Sequence, residues 1–345
     1  MKLSIISFTE NGIRLSKRIQ EFASQLPEVE AVLNYTKWSG AKTSDTQVGQ
    51  SDPPYVICRI GEWTGNQMEK HHALLFIGAC GIAVRAIAPY VDDKLYDSPV
   101  LVVDELGNYV IPVLSGHMGG ANELAVTLAE RIGALPVVTT ATDINNKFAV
   151  DMFAKKNDLA VMNKEGIAKV SSKVLQGEAI KMSIESYPPK NHVDVVVTSE
   201  NRAFDADLIL KPKIYAIGIG CRRGKESEKI HEFVSKTLEK YEISLQQIFA
   251  MASIDKKKDE SGLLDWTSKN HVPFMTYSAE ELEQIPGEFQ SSAFVKSQVG
   301  VDNVCERAAL KACGADGELL VKKHANDGMT IAIAKRKWSV NIDEE

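Results

Sequence analysis

Short apolar runs alternate with amphipathic stretches along the whole chain. Residues 2–8 read as a strand; Asn11-Gly12 turns it, and Leu15, Ile19, Phe22, Ala23 and Leu26 then share one face of a helix closed by Pro27. A second strand is predicted at 31–35, and the polar stretch 36–54, which ends in Pro53-Pro54, as a loop or insert. Residues 73–77 are continuously apolar, as in a strand buried on both faces, and run into Gly78-Ala79-Cys80-Gly81 and a helix start. Residues 100–104 and 109–113 flank Glu105-Leu106-Gly107-Asn108 as a hairpin.

The hairpin feeds Leu114-Ser115-Gly116-His117-Met118-Gly119-Gly120-Ala121-Asn122-Glu123, the stretch around which the rest is organised. A helix leaves it, with Leu124, Leu128 and Ile132 four apart, Ala121, Ala125 and Ala129 beside them, and Gly133 placed as a left-handed C-cap. First-turn helix amides lack an intrahelical partner and the dipole favours negative charge there. Glycines 116, 119 and 120 would therefore let an anion reach bare backbone. His117 is the side chain of this loop able to move a proton near neutral pH. The same residues also fit a plain strand–helix connection with a solvated histidine. The strand at 136–138 ends in Thr139-Thr140-Ala141-Thr142-Asp143, whose hydroxyls would line a ligand site beyond the strand ends or cap the next helix. Arg85 would reach an anion at the turn of residues 78–81, or lie free on the surface.

Residues 144–212 read as a small bridging region, with helices at 148–156 and 167–175 and strands at 180–184 and 193–198. A fresh strand at 213–217 enters Gly218-Ile219-Gly220-Cys221-Arg222-Arg223-Gly224, followed by a helix through Ile230, Phe233, Val234, Thr237, Leu238 and Tyr241. As a dinucleotide fingerprint this fails: the third glycine is one late, and Glu242 precedes the next strand instead of ending it. Two arginines beside glycine amides still suit an anion. The charge run that follows residue 252 has a solvated loop as its default meaning. Ser278-Ala279-Glu280-Glu281 fits a capping box, 301–312 a helix, and 319–323 with 329–334 a hairpin across Asn326-Asp327-Gly328. The expected architecture is α/β: two three-layer domains with largely parallel sheets, at 1–143 and 213–340, joined by the small middle region 144–212.

Composition changes this picture little: 345 residues, 44% hydrophobic and 25% charged, describe an ordinary soluble protein. No apolar run approaches the ~18 residues a membrane helix needs, and the N-terminus reads as a first strand, not a signal peptide. Five cysteines with no C-x-x-C pair fit free thiols in a reducing cytoplasm. Metal-ligand spacing is absent, since His71 and His72 are adjacent and point apart, so no metal site is predicted. The net charge of -6 argues against a nucleic-acid partner but leaves room for an anionic small molecule held by a local cluster.

The motifs, taken in order, resemble the cobalt-precorrin-5A hydrolases of anaerobic cobalamin biosynthesis, the CbiG type. They are Gly78-x-x-Gly81-Ile82-Ala83-Val84-Arg85, Val102-Val103-Asp104-Glu105-x-Gly107, the loop from Leu114 to Asn122, and Thr139-Thr140-Ala141-Thr142-Asp143. The C-terminal half adds the Gly218 to Gly224 run, Ser253-Ile254-Asp255-x-Lys257-x-Asp259-Glu260 and Val304-Cys305-Glu306-Arg307-Ala308-Ala309-Leu310. The resemblance covers roughly residues 70–335; Ser98 and Cys305 depart from it, at positions with no obvious chemistry. It implies a C-terminal domain similar to stand-alone CobE-type proteins. It also implies a corrinoid substrate whose ring-A δ-lactone is opened by water with loss of acetaldehyde. No cofactor is implied, because the cobalt arrives with the substrate. On that reading His117 is the base, with Glu123 or Asp143 as second proton acceptor. The amides of Gly119, Gly120 and Ala121 would bind the oxyanion. Arg85, Arg222, Arg223 and Lys257 would hold rim carboxylates, with Gly78, Gly81, Ser115, Gly116, Asn122, Thr139, Thr140, Gly218, Gly220, Cys221, Ser253, Asp255 and Glu260 as further lining. Transient contact with pathway methyltransferases is compatible with it, and oligomeric state is left open. A non-catalytic corrinoid carrier, or a nucleotide-dependent enzyme using residues 218–224, are the competing readings.

Overall fold

The computed structural model describes residues 1–38, 55–184, 189, 191–290 and 300–342; the part of the expected loop at 39–54 lies outside them. The chain divides into two compact units, Met1–Met152 and Phe153–Glu345. In the first, seven strands form one sheet: Lys2–Ser7 (β1), Ala31–Thr36 (β2), Tyr55–Val56 (β3), Ala73–Ile77 (β4), Val100–Val103 (β5), Tyr109–Leu114 (β6) and Leu135–Pro136 (β7). Their order is β3-β2-β1-β4-β5-β6-β7, and every pairing is parallel except the β5–β6 hairpin.

Strand periodicity explains why this sheet is covered on both faces. Leu75 and Ile77 of β4 pack with Leu15 and Ile19 of the helix Glu10–Ala23 (α1) and with Leu124 and Leu128. Their neighbours Leu74 and Phe76 point the other way, onto Trp63 and Met68 of Ile60–Glu69 (α2) and Ala83 and Ile87 of Cys80–Ile87 (α3). Leu124 and Leu128 belong to Ala121–Ile132 (α4), which ends on Gly133 at φ 74, the left-handed cap expected. A four-residue helix, Ala141–Ile144 (α5), follows β7.

The hairpin has a consequence that pattern alone did not reveal. Because β6 runs antiparallel to β5, with Leu114 opposite Val100, its carboxyl end lies at the amino end of β5. The turn of Gly78 and Gly81 follows the carboxyl end of β4, which is parallel to β5. The two glycine turns are thus at opposite ends of the sheet, separated by a strand length of ~13 Å for four residues.

In the second unit, the segment expected as a bridge has a sheet of its own. After Val150–Lys156 (α6), whose first three residues, Asp151 among them, belong to the first unit, the strands Leu159–Val161 (β8), Met182–Ile184 (β9), Val193–Val197 (β10) and Ala206–Pro212 (β11) pair in the order β8-β11-β10-β9, and Glu165–Leu175 (α7) packs on β11. A second sheet contains Tyr215–Cys221 (β12), Ile248–Ile254 (β13), Phe274–Tyr277 (β14), Glu318–Asn326 (β15) and Met329–Lys335 (β16), in the order β14-β13-β12-β16-β15. Here β12, β13 and β14 are parallel and β16 is antiparallel to β12. Ile217, Ile219 and Met251 face Ser227–Lys240 (α8) and Ser261–Lys269 (α9) through Phe233, Val234, Leu263 and Trp266. A short helix, Ala279–Glu283 (α10), opens with the expected capping box on Ser278 and Glu281. The opposite face of β12 carries small residues and meets Val304–Cys313 (α11).

That close packing corrects the reading of the second glycine run. Gly218 and Gly220 lie inside β12, paired with Ala332 and Thr330 of β16, and do not form an anion-binding turn. A Cβ at 218 would come within 1.8 Å of the Cys305 carbonyl oxygen, so the glycine lets α11 approach the strand.

Candidate active site

Loop 115–120 closes β6 onto α4 through its own backbone. Ser115 takes a positive φ of 55°, and its carbonyl accepts from the Ala121 amide at 3.2 Å; the Gly116 carbonyl accepts from Asn122 at 3.1 Å, and the His117 carbonyl from Gly120 at 3.1 Å. Two of the three amides expected to bind an oxyanion, those of Gly120 and Ala121, are therefore already committed to carbonyls of the loop. The glycines serve close approach instead. A Cβ at 119 would sit 2.4 Å from Ser115 Oγ, and one at 116 would sit 2.5 Å from Asn122 Oδ1.

This folding presents the His117 side chain, 12% exposed, between two carboxylates. Nδ1 donates to Asp151 Oδ2 at 2.9 Å, while Nε2 lies 3.2 Å from both oxygens of Asp143 and 3.4 Å from Thr142 Oγ1. Asn122 Nδ2 donates to Asp143 Oδ2 at 2.6 Å and to Thr140 Oγ1 at 2.9 Å. The hydrogen bond to Asp151 is the strongest influence on His117 and raises its pKa; burial opposes this, and the charges of Asp151 and Asp143 add to the rise. Burial pushes the Asp151 carboxyl up, but His117 and the Met152 amide outweigh it and leave that group below the ordinary carboxylate range.

A cavity of about 620 Å³ opens on this constellation. Its polar lining includes His117, Asn122, Glu123, Thr142, Asp143 and Lys147, and Val126, Val138, Ile144 and Met152 supply apolar wall. Ile144 and Val126 are 64% and 40% exposed, so hydrophobic surface stays open to solvent at the same place. Apolar wall with a few convergent polar groups is the usual make-up of a small-molecule site.

Of the residues singled out from sequence, the structure brings together Gly116, His117, Asn122, Glu123, Thr140 and Asp143; Thr139, exposed, adjoins them in the chain. Gly78, Gly81 and Arg85 are not brought there, because the hairpin places their turn at the far end of the sheet. Arg85 folds over its own turn, with Nη1 3.3 Å from where a Cβ of residue 81 would be. Thr142, one of the hydroxyls expected to line a site, also lies in the cavity wall, whereas nothing in the sequence pattern singles out Lys147, and for Asp151 the signal is no more than a carboxylate in the first turn of α6.

The C-terminal motifs form their own cluster in the second unit. Glu260, buried, accepts from the Gly224 amide at 2.6 Å and from Lys257 Nζ at 2.8 Å. Burial pushes its carboxyl up, yet Lys257 and the amides hold it below the usual range. Lys257, expected to hold a rim carboxylate, is thus paired with a carboxylate of its own chain. Ser253 Oγ donates to the Ile219 carbonyl at 2.7 Å, burial raises the Cys221 thiol, and Arg222, Arg223 and Asp255 are exposed. In the smaller sheet, ligand atoms of His192, Asp194 and Asp207 lie within 4.8 Å of one another. Lys173 pairs with Asp194, and Lys169 with Asp207 at 3.2 Å, so the charge a cation would supply comes from lysines.

Fold and site together define an α/β protein with a carboxylate-flanked histidine at a strand–helix loop, an arrangement suited to moving a proton. The chain belongs to the cobalamin synthesis G family: residues 62–143 match its N-terminal profile and residues 215–334 its C-terminal one. It is similar to the cobalt-precorrin-5A hydrolase of Priestia megaterium, 36% identical over 297 residues, covering 77% of this chain and 79% of that one. The hydrolase of the same name from Salmonella typhimurium is 34% identical, with 96% of this chain and 97% of that one covered. The crystal structure of a cobalamin biosynthesis protein G homolog from Sulfolobus solfataricus matches over 97% of both chains at 22% identity, with a TM-score of 0.39.

Proposed function

We propose that the chain is a cobalt-precorrin-5A hydrolase, opening the ring-A lactone of that corrinoid with water and releasing acetaldehyde. One observation carries the reading: His117, held between Asp151 and Asp143, faces a half-apolar cavity in a chain similar over nearly its full length to a protein named for that reaction. The Nε2 of His117 and Asp143 together accept the proton of the attacking water. Its hydroxyl adds to the lactone carbonyl, and the acyl–oxygen bond breaks to leave a ring-A carboxylic acid and an alkoxide. The alkoxide collapses to acetaldehyde by breaking its carbon–carbon bond. The electron pair returns to a macrocycle carbon, which takes the proton from the His117–Asp143 pair. Substrate plus one water thus equals acid product plus acetaldehyde, and the cobalt enters and leaves with the corrinoid.

The described helices include none long and apolar enough to cross a membrane. All five cysteines are free thiols, which supports a reducing, cytoplasmic setting. Incubating the protein with cobalt-precorrin-5A tests the proposal. Stoichiometric acetaldehyde, with a corrinoid mass lower by acetaldehyde less water, is the expected result. Tight corrinoid binding with no aldehyde would replace the enzyme by a carrier.

A further inference from the structure

Asp151 precedes nothing that a motif would flag, yet it is the group that fixes the orientation of His117. It sits in the first turn of α6, its side chain is 19% exposed, and its second oxygen is tied down by the Met152 amide at 3.0 Å. The remaining oxygen takes the Nδ1 proton of His117 at 2.9 Å. With a carboxylate on each nitrogen the protonated ring donates from both; the shorter contact, 2.9 Å to Asp151 against 3.2 Å to Asp143, keeps hydrogen on Nδ1 when the ring gives up one proton, which then leaves from Nε2. Nε2 is the nitrogen beside Asp143 and Thr142, both of which line the cavity.

We infer that Asp151 is a positioning residue for the hydrolytic site: it fixes the His117 ring and keeps hydrogen on Nδ1, so that Nε2, beside Asp143 and the cavity, is the nitrogen that gives and takes the proton. The inference deepens the hydrolase reading and rests on it for its kinetic consequence, but its structural half stands without substrate. The polar groups facing the ring include Asp151 from α6 and Asp143 and Thr142 from α5, with Asn122 of α4 reaching it through Asp143. An Asn at 151 keeps the size of the side chain but can turn its NH₂ toward Nδ1, favouring the tautomer with hydrogen on Nε2, which cannot accept a proton from water.

The test is Asp151→Asn, read in two ways. By histidine NMR, with the His117 resonance assigned from its loss in His117→Gln, the His117 pKa should fall relative to the unmodified protein, since a charged hydrogen-bond acceptor has been removed. In turnover of cobalt-precorrin-5A, kcat should fall by ~10²–10⁴-fold, the range for a mis-set catalytic tautomer, while KM stays within a few-fold. The thermal midpoint shows that the variant is folded. An unmoved His117 titration, or kcat within a few-fold of the parent, overturns the inference. If the parent protein itself releases no acetaldehyde, the hydrolase reading fails while the titration still decides whether Asp151 governs His117.

Discussion

Asn122 binds Asp143 through one short contact, Nδ2 to Oδ2 at 2.6 Å, and the same amide nitrogen reaches Thr140 Oγ1 at 2.9 Å. Gly116 makes room for this, since any side chain there would strike the Asn122 carboxamide. A contact between the first turns of α4 and α5 is therefore what keeps the Asp143 carboxylate against His117. Replacing Asn122 by Leu removes a hydrogen bond to a charged group, worth ~1.5–3 kcal/mol. If that support is felt at the reacting centre, kcat should fall by roughly 10–100-fold. Steady-state aldehyde release measures it, and an unchanged kcat would show that Asp143 needs no such support.

His117 and Asp143 act on one proton, so their losses should not multiply. His117→Gln and Asp143→Asn should each lower turnover by at least ~100-fold, and the double variant should be little worse than the poorer single one. Multiplicative losses would mean that the two residues serve separate steps.

The pH dependence follows from the raised His117 pKa. As a base, the pair works only after its proton has left, so kcat should climb with pH through a value above the ordinary histidine ~6.5. Stability runs the other way. A raised histidine pKa contributes stability that is full below ~6.5 and fades as pH rises through the folded value; the depressed Asp151 pKa contributes above ~3.9 and fades below it. The stabilising window of the pair is thus mildly acidic. Unfolding midpoints of the parent and Asp151→Asn should differ most there and converge toward alkaline pH; a gap constant with pH would disconnect the pair from titration.

Much of the architecture was legible because buried strands and helix stripes have different periods: Ala73–Ile77 and the stripe from Leu124 to Leu128 were marked by apolar positions alone. The site was half legible. Glycines 116, 119 and 120 around His117 announced a loop that needs bare backbone, but not whether a ligand or the loop itself required it; here Asn122 and Ser115 crowd residues 116 and 119, and residue 120 takes a left-handed φ of 86°. Strand direction was the larger blind spot. A hairpin was expected at residues 105–108, and its effect of carrying Arg85 away from His117 emerges only once β5 and β6 are paired. Asp151 escaped notice for a related reason: 34 residues from His117, it meets the ring through tertiary folding, and a carboxylate at a helix start is unremarkable. Gly218 shows the converse, a ligand-like motif whose spacing reports helix packing.

Glu306 belongs to the motif of residues 304–310, yet its partners argue for a structural role rather than a chemical one. It is 1% exposed and accepts from the Lys323 amide at 2.7 Å, from the Gln290 amide at 3.2 Å and from Asn303 Nδ2 at 2.5 Å. One carboxylate thus ties the first turn of α11 to β15 and to the chain near residue 290. Glu306→Ala would strand those donors without an acceptor, at a cost of ~3–5 kcal/mol, the range for breaking a buried charged network by removing one partner. Urea unfolding should register that loss in the midpoint, while Glu306→Gln, which keeps one acceptor oxygen, should lose less. In the fraction that remains folded, kcat should match the parent. A Glu306→Gln protein with normal stability and depressed kcat would reverse the assignment and place this carboxylate among the reacting groups.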